Sequence, residues 1–180
     1  MKTIFNGAAT ALLSVMLLAG ISTLQAQSPE PVQTKYMKKV SKALEKAGYA
    51  FEVDEDGDLK IEVVIGQGRT QLAWIMLGES VFGTIAVRDV YSIAWMTQPD
   101  SLGIKEPNAE ALLLMNETTK IGAWSILEKD GIRAYLYTIK ALADIDLDIL
   151  LEYVEAVAIV GDFMEKEFEG TGLLPNVDVY

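Results

Sequence analysis

Cysteine and histidine are both absent from this 180-residue chain. Their absence excludes disulfides, thiolate or imidazole metal sites, histidine-dependent triads and histidine-ligated haem. Positive charge is scarce. Fifteen lysines and arginines stand against 26 acids, a formal net charge of −11, and the arginines are Arg69, Arg88 and Arg133. A nucleic-acid surface or a basic membrane-lying helix is not expected from that balance. No strand-like run leads into a glycine-rich phosphate fingerprint either, so no nucleotide is expected, and no other cofactor or metal. About half of the chain is apolar (51%). That is enough for one packed core and short for two.

The first 26 residues read as an address. Lys2 gives a positive start, Ala8 to Leu18 is an apolar run, and Ala26 supplies a small residue before the polar Gln27-Ser28-Pro29-Glu30-Pro31. This is the pattern of a cleavable secretory signal. A spanning helix needs about 20 strongly apolar residues, and Thr10, Ser14, Gly20, Ser22 and Thr23 dilute this one. Export to a periplasmic or extracellular compartment is therefore expected, with no stable membrane insertion after cleavage. Residues 27–33 read as a linker, 34–169 as one domain and 170–180 as a tail. An exported domain of this size can bury enough surface to hold without disulfides.

Along the domain, Tyr36, Val40, Ala43, Leu44 and Ala47 recur at helical steps from Gln33 onward, and Gly48 stands where a left-handed stop belongs. The period then falls to two. Tyr49, Phe51 and Val53 alternate before Asp54-Glu55-Asp56-Gly57-Asp58, and Leu59, Ile61, Val63 and Ile65 alternate after it, which predicts a hairpin. Gly66-Gln67-Gly68 is a second turn, Gln71 to Leu77 a third strand, and Phe82 to Met96 a further strand region in one or two pieces. Thr97 to Glu106 is the longest loop, and Pro107 opens a short helix through Met115. Ile121 to Leu127 and Ile132 to Ile139 form another hairpin over Asp130-Gly131, and Asp146 to Phe168 is the longest helix. The expected class is α+β: an antiparallel sheet of five to six strands with flanking helices.

The acidic loop at 54–58 invites a calcium reading. Counted from Asp54, however, Leu59 and Ile65 occupy the positions where a helix–loop–helix site needs glycine and a bidentate acid. A solvated hairpin tip is the expectation. Glu79, Asp89 and Glu117 lie beside apolar residues, but nothing pairs any two as an acid and a base, so no catalytic residue is assigned. Trp74, Trp95 and Trp124 sit in strand-like segments, where core packing is the first reading and a ligand platform the second.

Surplus apolar surface is more informative. Leu112-Leu113-Leu114-Met115 surrounds its own helix axis and cannot all face one neighbour. On the last helix Leu150, Val154, Val157 and Gly161 form one stripe. Ile149, Tyr153, Ala156, Val160 and Phe163 form a second, and Ile159 interrupts the charged strip of Asp148, Glu152, Glu155, Asp162 and Lys166. A helix lying on one sheet needs one stripe only. The candidate interface is therefore Leu112, Leu113, Leu114, Met115, Ile149, Tyr153, Ile159, Val160 and Phe163, serving a homodimer, a protein partner or packing within the monomer.

Taken with the element order, four segments resemble the YbjN family: Leu44-Glu45-Lys46-Ala47-Gly48-Tyr49, Phe51 to Asp58, Leu113-Leu114-Met115-Asn116 and the strand pair around Asp130-Gly131. These bacterial proteins are described as sensory-transduction regulators, with a fold similar to type III secretion chaperones. The resemblance covers about Thr34 to Phe168. It implies a small acidic α+β domain, dimeric, that binds another polypeptide and carries no catalytic residue. The expected function is an exported, non-catalytic binding module. The alternatives are a carboxylate-dependent hydrolase of the cell envelope and a small-molecule or lipid binder using the tryptophan-bearing sheet.

Overall fold

The computed structural model describes residues 32–97 and 109–170. The signal segment, most of the linker, the loop after Thr97, the Pro107 helix start and the tail beyond Gly170 lie outside the described residues. Helix α1 (Val32–Ala47) leads into β1 (Ala50–Val53), β2 (Leu59–Gly66), β3 (Arg69–Ile75), β4 (Ser80–Phe82) and β5 (Ile85–Met96). Helix α2 (Ala109–Thr118), β6 (Ala123–Lys129), β7 (Ile132–Leu142) and α3 (Leu147–Gly170) follow. The class is α+β, as the periodicity predicts. Helix α1 begins at Val32, one residue before the Gln33 from which the helical steps run.

Turn chemistry sets most of the boundaries. Gly48, at φ +84°, ends α1, while its N–H donates to the Glu45 carbonyl and that of Tyr49 to Leu44. Those two bonds satisfy carbonyls the helix end leaves open. Asp130 and Gly131 both take positive φ between β6 and β7, the two-residue turn whose twist suits a hairpin.

The sheet has seven strands in the order β1-β2-β3-β5-β7-β6, all paired antiparallel, with β4 alongside β5. It exceeds the expected five or six because a turn at Gly83 (φ +61°) divides the apolar run from Ser80 to Met96 into β4 and β5. Strand β3 pairs in register with β5 at Trp74–Tyr91 and Ile75–Val90, and β4 takes over the same edge at Val87.

Alternation gives the sheet one dry face. Leu59, Ile61 and Val63 of β2, Ala73 and Ile75 of β3, Val90 of β5 and Ile139 of β7 are buried. Helix α3 lies across β2, β3, β5 and β7, sinking Leu150, Val154, Val157 and Ala158 into that face. Helix α1 adds Val40 and Leu44. Burying a single such side chain is worth about 1.5–3 kcal/mol. On the opposite face Lys60, Trp74, Tyr91 and Thr138 stand in one cross-strand row, with Trp74 stacked on Tyr91 at 5.4 Å. Trp95 and Trp124 are buried, edge-on to Tyr135 and Tyr137. Core packing is thus observed for two tryptophans, and the third belongs to the outer row.

Helix α3 meets the sheet most closely at Gly161. A methyl group placed there would stand 2.5 Å from the Ser92 hydroxyl oxygen and 2.8 Å from the Gln71 amide nitrogen. Ser92 is fully buried, donates to the Leu72 carbonyl and accepts from Gln71. Glycine is required by that approach, with the helix backbone resting on a small polar cluster.

Candidate interaction surface

Helix α2 separates the four apolar residues that the sequence runs together. Leu112 is buried in the core with Trp124, so its assignment to the interface is corrected: it faces β6. Leu113 and Leu114 are 66% and 63% exposed, and Met115 is also exposed. Helix α2 packs on β6, whose Ile126 and Leu127 are exposed as well, as is Ile121 in the connection between them. Ile126 and Leu127 are consecutive in the strand and turn to opposite faces of the sheet.

Edge strand β6 would normally offer its unpaired backbone to another strand. Asn116 of α2 intercepts it. The Trp124 N–H donates to Asn116 Oδ1 at 2.7 Å, and Asn116 Nδ2 donates to the Trp124 carbonyl at 3.2 Å. The side-chain amide thereby does for Trp124 what a neighbouring strand would. This clamp is beyond hydrophobic patterning, because an asparagine after an apolar helix reads as a cap or a turn residue.

On α3, Ile149, Ile159 and Phe163 are exposed, and Ile149, Ala156 and Phe163 align at steps of seven. Tyr153 and Val160 are half-buried and pack against the core, so they flank the exposed line instead of forming it. Asp162 departs from the solvated strip in which the pattern places it. It is 2% exposed, held by Arg69 Nε at 2.6 Å on one oxygen and Lys166 Nζ at 2.6 Å on the other. Burial opposes its ionisation, yet the hydrogen bonds from Lys166 and Arg69 outweigh that, and its pKa lies below the usual carboxylate value. Arg69 also reaches Glu165.

Several other acids have structural partners too. Glu79 pairs with Arg88, which is buried, donates to the Leu77 carbonyl and stacks over Tyr36 at 3.7 Å. Burial pushes the Tyr36 phenol up, against the pull of Arg88. Asp89 pairs with Lys140 at 2.6 Å, and Glu117 is exposed on α2. In the acidic loop Asp54 accepts from the N–H groups of Asp56 and Asp58. Asp58 accepts from the Leu77 N–H at 2.7 Å and is half-buried, so the tip is only partly solvated. Burial raises the Asp58 pKa above its ordinary value. Among the described residues no three acids gather as a metal site would require. Nor is any helix among them long and apolar enough to cross a membrane. The missed groups, Arg88, Gln71 and Ser92, share one signal: polar residues at inward positions of otherwise apolar strands.

No protein-family model matches this chain, and no curated protein matches it significantly.

Proposed function

We propose that the protein is an exported, non-catalytic binding module of the YbjN type, which self-associates and engages another polypeptide through the apolar region on α2 and β6. The observation that carries this reading is the exposure of Leu113, Leu114 and Met115 on α2, a helix packed on an edge strand that exposes Ile126 and Leu127 in turn. Three successive exposed apolar side chains on one short helix mark a candidate interaction site. On β6, Glu128 is paired with Arg133 at 3.1 Å, while α2 itself carries Glu110 and Glu117. Two-fold pairing buries the same region twice. The Asn116 clamp favours contact by side chains over strand addition along β6. The pairing of Glu79 with Arg88, of Asp89 with Lys140 and of Asp162 with Arg69 and Lys166 supports a non-catalytic role.

Native mass spectrometry of protein recovered from its own cells tests export and association together. The expected species is a dimer of chains beginning near Gln27. Leu113→Glu or Leu114→Glu should shift it to monomer with the far-ultraviolet spectrum unchanged. A wild-type monomer at micromolar concentration overturns self-association, and a retained N-terminus overturns export.

A further inference from the structure

Strand β1 is shorter than its neighbour. It begins at Ala50, opposite Glu62, because the turn at Gly48 carries the chain away into α1, and β2 runs on to Gly66. Among the described residues no strand lies beside β2 from Val63 onward on that edge. The Asp54 N–H donates to the Asp58 carbonyl, which fixes the alternation: residues 58, 60 and 62 turn their backbone groups toward β1. The next in that series is Val64, so its N–H and C=O face the open edge. Its side chain is 75% exposed.

A cleft of about 500 Å³ occupies the place a longer β1 would fill. Residues 47–50 and 62–65 form two sides, and Glu155 and Ile159 of α3 close it above. Its charged lining is one-signed, Glu62 and Glu155, with no lysine or arginine. Tyr49 donates its hydroxyl to Glu155 at 2.5 Å. Burial first, then Glu155, push the Tyr49 phenol up to about 12, so it stays a donor at neutral pH. Alternation places Glu62 toward the outer face of the sheet and Glu155 on the helix side.

We propose that this cleft takes an extended, cationic peptide segment of another protein as a further strand beside β2, in line with β1. An open backbone edge selects an extended chain, since only a strand satisfies both Val64 groups at strand spacing. The two carboxylates select cations on both faces of that strand. A second copy of this chain is disfavoured here, because it would bring its own Glu62 and Glu155 against these. The site is separate from the α2–β6 surface, and its test does not depend on self-association.

The probe is an acetylated, amidated hexapeptide of sequence Arg-Val-Lys-Arg-Val-Lys, which presents cations on both faces. Titrated into the full chain, it should slow hydrogen exchange of the Val64 amide. N-methylation of the peptide backbone keeps every charge and should weaken binding about tenfold, the effect of losing one or two hydrogen bonds at roughly 1 kcal/mol each. Glu155→Gln should weaken it several-fold with the thermal transition of the protein retained, and Glu62→Gln serves as the independent second variant. An equal affinity for the N-methylated peptide would reduce the effect to charge attraction and overturn strand addition. Unchanged exchange at Val64, or equal binding of a peptide with glutamate at every cationic position, overturns the proposal too.

Discussion

Replacing Gly161 with alanine tests whether α3 rests on Ser92 and Gln71 as closely as the geometry states. Helix propensity alone favours the change by about 1 kcal/mol, since glycine is the costlier residue inside a helix. Against this, the new methyl stands 2.5 Å from Ser92 Oγ and 2.8 Å from Gln71 Nε2, distances that real Cβ atoms do not tolerate. Ser92 cannot simply rotate away, because its hydroxyl donates to the Leu72 carbonyl at 2.7 Å and accepts from Gln71 at 3.1 Å. Overpacking costs about 1–3 kcal/mol. Disturbing a buried hydrogen bond costs about 1–3 kcal/mol more. The net expectation is a loss of about 1–5 kcal/mol, read as a lower urea midpoint with an unchanged slope. Ser92→Ala provides the partner for a double-mutant cycle. Once the hydroxyl is gone, Gly161→Ala should cost distinctly less, giving a coupling of about 1 kcal/mol or more. A Gly161→Ala protein as stable as the wild type, or sites that add independently, would refute the close approach.

Asn116→Ala should unpair both backbone groups of Trp124 and lower stability by about 1–3 kcal/mol, with faster aggregation on light scattering as the β6 edge opens. Asp162 has a native pKa below its unfolded value of about 3.9, so between the two the unfolded chain binds more protons. Its contribution is present above pH 3.9 and lost as pH falls through the native value. Asp162→Asn should flatten the acid limb of a melting-temperature profile, and an unchanged limb counts against the assignment.

The hairpins, the three helices and the antiparallel class were legible because each rests on local signals. Alternation around Asp-Gly and Gln-Gly turns identifies strands, and Gly48 marks the end of α1 whatever the tertiary structure. The split between β4 and β5 was less visible, since Gly83-Thr84 interrupts an otherwise continuous apolar run. Side-chain destinations depend on partners far along the chain. Leu112 and Leu113 are chemically alike, and only the position of β6 beneath α2 buries one and exposes the other. Asp162 reads as solvated until Arg69, 93 residues away, is seen beside it. Arg88 was legible only as an oddity, a cation inside a β-branched strand, and its partners Glu79 and Tyr36 come from a neighbouring strand connection and from α1.

The Asn116 clamp ties two surfaces that would otherwise be independent. The same short helix carries the exposed leucines and holds the Trp124 backbone closed. Any force that lifts α2 from β6 therefore frees both backbone groups of Trp124 in the same movement, and it draws Leu112 out of the core. A ligand gripping α2 gently, by Leu113 and Leu114 alone, leaves the Trp124 backbone bonds in place. One that peels the helix away meets a sticky ribbon beneath it. Grip and unveiling are successive depths of a single displacement.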